Sequence, residues 1–195
     1  MNGFTGQTLN GQVVRLEPLS RSHLPSLKQV VEDGQLWRLM ATSVPHPEQL
    51  QDWYQQAMHE QQGGVSQVYA MVSQAGDQVL GSSRFLNTHW GHARTEIGFT
   101  FIAKSHQRSA VNTEAKLLML EHAFTDLGFN RVAFRTDHLN QVSRRAIERL
   151  GAKYEGLLRD HMVMADGRVR DTVVYSITAH EWPGVRQHLE ERLQR

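Results

Sequence analysis

The stretch TEIGFTFIAKSHQRSAVNTEAKLLMLEHAFTDLGFNRVAFRT, residues 95 to 136, constrains this chain more than any other. Glu96 to Ile102 has the length and the Ile, Phe and Thr content of a strand. Lys104 to Ala110 is a short polar turn, and Asn112-Thr113-Glu114 offers cap-type residues and a first-turn acid. From there Ala115, Leu118, Leu120, Ala123, Phe124 and Leu127 supply an apolar helical face that Gly128 closes, and Arg131 to Thr136 reads as a second strand. The unit is strand, turn, helix, strand. The free N–H groups at the helix start, the positive end of its dipole and Arg108 beside it suit an anion such as a phosphate.

The rest of the chain narrows the context. With 195 residues it is long enough for one full core, and 21% charged against 39% apolar residues is ordinary for a globular chain. No apolar run approaches ~18 residues and the first twenty residues hold no signal-peptide core, so neither membrane insertion nor secretion is expected. Cysteine is absent, which excludes disulfides and thiolate catalysis and makes the cytoplasm the expected compartment. A formal charge of +1 gives no bulk pull toward nucleic acid, and no RNP-type run is present. The 11 histidines are scattered and match no metal-ligand spacing, so no metal is expected.

Taken in order, residues 1–12 read as a loose lead-in, and Val13 to Pro18 as a first strand that Pro18 ends or leaves at an edge. Ser20 caps a helix running to about Asp33. The link from Gly34 to Val44, with Leu36, Trp37, Leu39 and Met40, is too apolar for a free loop and either packs on the core or lines a pocket. Pro47 opens a second helix with Leu50, Trp53, Tyr54 and Ala57 at helical spacing up to Gly63-Gly64. Residues 20–64 thus form a helical lobe expected over one edge of a sheet. Strands at Gln67 to Ser73 and Val79 to Asn87, joined by Ala75-Gly76-Asp77, begin an antiparallel meander that the central strand completes. Beyond it come a short helix from Val142 to Leu150 with its arginines largely outward, strands at Ala152 to Leu158 and Val169 to Thr178, a hairpin turn at Asp166-Gly167 after His161 to Met164, and a terminal helix between Trp182 and Leu193 whose start Pro183 and Gly184 delay. The expectation is one α+β domain over 1–195, with a mixed, mostly antiparallel sheet of six or seven strands flanked by four or five helices.

A strand-turn-helix first suggests a nucleotide site, but neither GxxxxGK[ST] nor GxGxxG occurs. Residues 107 to 156, QRSAVNTEAKLLMLEHAFTDLGFNRVAFRTDHLNQVSRRAIERLGAKYEG, with EIGFTFI before and RDTVVYSI after, resemble the acetyl-coenzyme A binding core of the GNAT N-acyltransferase superfamily, in the branch of the RimJ and RimL ribosomal-protein N-terminal acetyltransferases. The family's pyrophosphate loop is written Q/R-x-x-G-x-G/A. Gln107 agrees with it, while Ala110 and Asn112 depart, although N-T-E-A occurs in this branch. At Ala110 a methyl group costs little if φ is ordinary; a positive φ brings strain of ~1 kcal/mol.

The resemblance implies acetyl-CoA as cosubstrate, with its pyrophosphate on Gln107, Arg108, Ser109, Ala110, Val111, Asn112 and Thr113, and its pantetheine arm on backbone groups of Phe99, Phe101 and Ile102, where the central strand splays from its parallel neighbour. Asn140 matches the family's side-chain contact to the coenzyme. Transfer to an amine needs a base, an oxyanion donor and an acid for the departing thiolate. Glu96 is the candidate base, two residues before Gly98, with Ile97 and Phe99 on the opposite side. The tyrosine that many relatives use as acid is replaced by Ile147, and Ser143 stands where the RimL-like branch uses a serine; Tyr175 is core or a second donor. Trp37, His46, Trp53 and Arg84 are candidate acceptor contacts, Arg84 for a carboxylate or carbonyl or else as the partner of a buried acid. The activity implied is N-acetyl transfer to a protein or peptide α-amine, with a small amine or a noncatalytic acyl-CoA module as alternatives. A homodimer through Arg170 to Leu193 is also implied.

Overall fold

Alternating apolar residues generate eight strands: β1 (Leu9–Asn10), β2 (Val14–Pro18), β3 (Gln67–Ser73), β4 (Val79–His89), β5 (Arg94–Ile102), β6 (Arg131–Asp137), β7 (Lys153–Val163) and β8 (Val169–Thr178). In the computed structural model, which describes residues 3–194, they form one sheet in the order β1-β2-β3-β4-β5-β6-β8-β7. Only β5 and β6 are parallel neighbours; every other pair is antiparallel. Five α-helices flank the sheet: α1 (Leu24–Glu32), α2 (Leu50–Gln62), α3 (Val111–Glu121, extended by a π-helical turn to Asp126), α4 (Gln141–Arg149) and α5 (Trp182–Leu193). The expected mixed, mostly antiparallel α+β architecture is the one observed.

Period-two alternation divides the burial between two cores. On one face Tyr69, Met71, Phe85 and Ile97 pack with Val111, Ala115, Met119 and Leu120 of α3 and Leu189 of α5. On the other, Val68, Ala70, Val72 and Phe101 pack with Leu27, Val30 and Val31 of α1 and Leu50 and Ala57 of α2. The helical lobe therefore lies on a face of the sheet, where it buries apolar side chains, and not over an edge.

Several local expectations change for physical reasons. The lead-in, of which Met1 and Asn2 lie outside the described residues, contributes β1, and His161 to Val163 continue β7 past a register shift; the sheet has eight strands, not six or seven. Pro183 does not delay α5, because a proline without an N–H fits the first turn of a helix that starts at Trp182. On α3 Met119 is buried in place of Leu118, which is half-buried. Arg144 turns inward to Tyr175 Oη at 3.1 Å and the His138 carbonyl at 3.3 Å. In the apolar link Leu36 joins the second core, whereas Leu39 and Met40 stay exposed. Finally, β8 has β6 on one side and β7 on the other, so it has no edge left for pairing with a second copy; the outer strand is β7.

Strand β2 is tied to α3 by a carboxylate. Glu114, 5% exposed, accepts the N–H groups of Gln12 at 2.8 Å, Val13 at 2.7 Å and Val14 at 2.7 Å. Gly11 leaves the space this needs, since a Cβ there would stand 2.5 Å from Glu114 Cδ. Three charge-assisted bonds to one buried carboxylate make it expensive to remove. Glu114→Ala is expected to lower the free energy of unfolding by about 3 kcal/mol or more in urea titrations; a loss below about 1 kcal/mol would remove the anchoring role.

Candidate active site

The site is made by two parallel strands that pair briefly and then part. β5 meets β6 only at Arg94↔Arg131, Thr95↔Val132 and Glu96↔Ala133. Beyond Glu96 the β6 side of β5 is open, while its other side stays paired with β4 as far as Gly81↔Ile102. The register between β4 and β5 shifts between Ser82 and Arg84, and opposite that shift Phe99 takes a left-handed φ of 47°. An extra residue in one strand bends it and increases its twist, which carries β5 away from β6. The expected splay is present, and it leaves the backbone of Phe99, Phe101 and Ile102 without a β6 partner.

The same distortion overturns one expectation. Phe99 does not share the face of Ile97; its ring lies under the Arg84 guanidinium, 3.7 Å from centroid to Cζ. Arg84 in turn donates to Glu60 Oε2 of α2 at 2.9 Å and is 4% exposed, so it is the partner of an acid.

The turn from β5 into α3 is braced from inside. Gln107 Nε2 donates to the Ile102 carbonyl at 3.0 Å, Ser109 Oγ donates to the His106 carbonyl at 2.7 Å, and Asp33 Oδ2 accepts both the Ser105 amide at 2.9 Å and its hydroxyl at 2.6 Å. Arg108 is exposed and carries the positive φ of the loop at 62°, whereas Ala110 sits at an ordinary φ of −66°. The methyl group of Ala110 therefore adds no backbone strain. Fewer than four amides are free, because Val111 N–H donates to Ser109 Oγ at 3.3 Å and the Val111 side chain is buried in the core. Asn112 and Thr113, half-buried in the first turn, have amides with no intrahelical acceptor.

Glu96 lies where the strands part. It is 7% exposed, and its Oε2 accepts Asn87 Nδ2 at 3.1 Å and faces Arg135 Nε at 3.2 Å. Oε1 has no hydrogen-bond partner among the described residues and points toward Gly98, whose missing Cβ would stand 3.7 Å from it. Burial pushes the Glu96 carboxyl above the ordinary glutamate range, against the opposing pull of Arg135 and Asn87. One oxygen is held and the other is open beside an absent side chain, an arrangement that can take up a proton.

At the other end of the split Asn140 caps α4, its Oδ1 accepting Ser143 N–H at 3.0 Å and its Nδ2 donating to the Ala41 carbonyl at 3.3 Å. The Ser143 hydroxyl has no protein partner among the described residues and stands free in the first turn. Tyr175 is fully buried, its hydroxyl donating to Glu148 Oε1 at 2.8 Å and accepting from Arg144, which takes it out of the site; Ile147 is core. Trp53 packs edge-on against Phe101 at 5.8 Å with a buried Nε1 that has no acceptor. Trp37 packs against His46 at 5.2 Å, and His46 caps the turn before α2 by accepting the Glu48 amide at 3.3 Å. Among the described residues no group of three or more His, Asp or Glu side chains is placed to hold a metal ion.

Sequence reasoning missed four participants. Arg135, Arg168 and Arg170 gather on the Glu96 face, with Arg168 bound to the fully buried Asp137. Lys116 is the fourth: buried, with Nζ 2.8 Å from Ser83 Oγ and 2.7 Å from Thr100 Oγ1, directly behind the β5 distortion. Its signal was present, since Met119, Leu120 and Ala123 at i+3, i+4 and i+7 place it on the core stripe.

Desolvation lowers the Lys116 pKa to about 7. An unfolded lysine titrates near ~10.4, so between those values the unfolded chain binds more protons than the folded one. Stability should accordingly rise with pH from about 7 toward ~10, by at most ~1.4 kcal/mol per unit. Urea unfolding at pH 7, 8 and 9 should show that slope in the parent and lose it in Lys116→Met; equal slopes in the two would refute it.

A family model described as the acetyltransferase (GNAT) domain matches residues 14–153. The chain is 27% identical over 121 residues to the uncharacterized N-acetyltransferase p20 of Bacillus licheniformis, a match that covers 62% of this chain and 67% of that one. Two Bacillus subtilis relatives match over 49% and 55% of their own length. Among solved structures, a GCN5-related N-acetyltransferase from Brucella melitensis superposes with a TM-score of 0.86 at 28% identity, covering 98% of this chain and 87% of that one. Mycobacterium smegmatis RimJ in complex with CoA-disulfide, at 21% identity, shares the fold with a TM-score of 0.83 over 98% of this chain and 97% of that one.

Proposed function

The chain belongs to the acetyltransferase (GNAT) domain family, and from that premise we propose that it moves an acetyl group from acetyl-CoA directly onto a primary amine, the α-amine of a protein or peptide, in the manner of the RimJ/RimL-like branch. The observation that carries this reading is the parting of β5 from β6 after Glu96, with the amino terminus of α3 following β5 and the open carboxylate oxygen at the floor. Residues 20–64 form the acceptor-side lobe.

In this reading the amides of Asn112 and Thr113 and the exposed Arg108 hold the pyrophosphate, and the open edge of β5 from Phe99 to Ile102 holds the pantetheine arm and the thioester oxygen. Glu96 Oε1 receives the amine proton through a water, and Ser143 returns a proton to the leaving thiolate. An α-amine suits a carboxylate base, because its pKa of ~8 lies well below the ~10.4 of lysine. Direct transfer follows from the absence of cysteine, and among the described residues no histidine bonds Ser143 to make it a nucleophile.

Labelled acetyl-CoA incubated with a cell extract and, separately, with an amine library, followed by mass spectrometry of the product, tests the reading. A labelled protein amino terminus is expected; label only on a small amine would overturn the protein acceptor, and CoA binding without any transfer would leave a noncatalytic module. For the product found, kcat/KM should rise with pH through an acidic limb set above the ~4.3 of an ordinary glutamate, since the base form exists only above the raised Glu96 pKa. Glu96→Gln should abolish that limb, and Ser143→Ala should lower kcat by ~10²-fold with coenzyme binding kept.

Because Val111 is core, the coenzyme site is better probed at its neighbour. Asn112→Asp adds a charge of the sign a helix amino terminus favours, so the fold should hold while the pyrophosphate is repelled. Calorimetry should show acetyl-CoA affinity reduced by more than about tenfold; unchanged affinity in a folded variant would displace the pyrophosphate from this loop.

A further inference from the structure

β8 places Arg170 on the sheet face that holds Glu96, Arg135 and Asp137, away from Val173, Tyr175 and Ile177 of the core. Arg170 is 9% exposed, takes part in no ion pair among the described residues, and has a buried Nε without a hydrogen-bond partner. Both acids within reach of its charge are already engaged. Glu96 has Arg135 at 3.2 Å and Asn87 at 3.1 Å, and Asp137 has Arg168 and the Leu139 amide at 2.9 Å. Arg131, whose charge also reaches Glu96, is paired with Glu155, so Arg135, Arg168 and Arg170 face Glu96 and Asp137, and one positive charge is left over.

A guanidinium this far withdrawn from water with no counter-ion is unfavourable, and its terminal nitrogens, which unlike Nε are not fully buried, are open to an anion that would complete it. The surroundings fit an arriving group. The link carrying the exposed Leu39 and Met40 leans over this face, where the Met40 carbonyl accepts from Arg168 Nη2 at 3.4 Å and the Ala41 carbonyl from Asn140 at 3.3 Å. Arg170 is close enough to Glu96 to hold its carboxyl down, yet not in contact with it. A group bound to Arg170 therefore lies on the same side as the open Glu96 oxygen, near the amine that this oxygen would deprotonate.

We propose that Arg170 is the anchor of an anion subsite for the acceptor, so that the amine acetylated by this protein belongs to a residue carrying a carboxylate on the same residue or the next. This rests on the transfer reading given above, and it narrows the acceptor from amines in general to acidic ones. A free amino acid would present its α-carboxylate, a peptide an aspartate or glutamate side chain at or beside its amino terminus. The chemistry at Arg170 is the same for both. A site built to pair a carboxylate discriminates against the neutral isostere, because the acceptor lacking the charge leaves the guanidinium unpaired.

Two matched pairs of acceptors test this and separate the two sources: alanine against alaninamide, and the peptide amide Asp-Ala-Ala against Asn-Ala-Ala, each assayed with the parent protein and with Arg170→Met and Arg170→Lys. The parent should favour the carboxylate member of at least one pair by about tenfold or more in kcat/KM, through KM; Arg170→Met should bring the ratio close to one and Arg170→Lys should restore part of it. Equal kcat/KM within both pairs, or a preference that survives in folded Arg170→Met, overturns the subsite. Calorimetry with N-acetyl-Asp-Ala-Ala amide and its Asn counterpart reads the subsite without turnover. Should the parent acetylate no acceptor, the transfer reading falls while calorimetry still decides: tighter binding of the acidic peptide that is lost in Arg170→Met upholds the subsite, and equal or absent binding of the two refutes it.

Discussion

The candidate site depends on two parallel strands that pair at three positions and then stay apart. Parallel strands close their ladder wherever geometry allows, because open backbone groups away from water are costly. Here β4 and β5 carry a mismatch at Phe99, and β5 bends away from β6 once Glu96 has been passed. The mismatch is clamped from behind, where Lys116 of α3 reaches Ser83 and Thr100, whose hydroxyls are themselves 2.8 Å apart. It is held from the front by Arg84 stacked on Phe99 and bonded to Glu60. Lys116 and Arg84, on opposite faces of the sheet, thus brace the irregular stretch around Phe99, where the strand edge stands open.

Charge on the front face follows a consistent pattern. Burial raises the Glu96 carboxyl against the pull of Arg135 and Asn87, and leaves one of its oxygens open. Asp137, fully buried one turn of pleat further along β6, has the opposite fate: Arg168 and the Leu139 amide hold its carboxyl below the usual aspartate range. Two acids of one face are thus shifted in opposite directions, Glu96 upward by burial and Asp137 downward by its hydrogen-bond donors.

Much of this was legible in the sequence, and the limit of legibility has a physical cause. The strand, turn and helix of residues 95 to 136, the hairpins and the helical lobe came from local periodicity and turn residues, which act over a few positions. Local sequence leaves the φ at Ala110 open and points Asn140 to the coenzyme; the structure shows an ordinary φ at the first and a cap of α4 at the second. What escaped was set by pairing across the sheet. The face of Phe99 is reversed by a register shift that depends on β4, and the core-stripe position of Lys116 gains its meaning only when β4 and β5 supply its hydroxyls. Likewise Arg170 looks like any strand arginine, and only the count of partners around it marks it out. The placement of β8 between β6 and β7, which removes the expected pairing edge, is invisible to any window of local sequence.

The bond between Glu114 and the amides of Gln12 to Val14 also bears on how the chain reaches this state. It joins residues 100 to 102 positions apart. As the polypeptide is synthesised, β2 leaves the ribosome long before the acid that satisfies its leading amides exists, and loop-closure entropy must be met before that contact contributes anything. The helix whose first turn supplies the free amides is thus the same element that closes this long loop onto β2. The leading amides of β2 therefore stay without their acceptor until the first turn of α3 has been made and docked, and completion of that edge of the sheet waits on a residue about a hundred positions away.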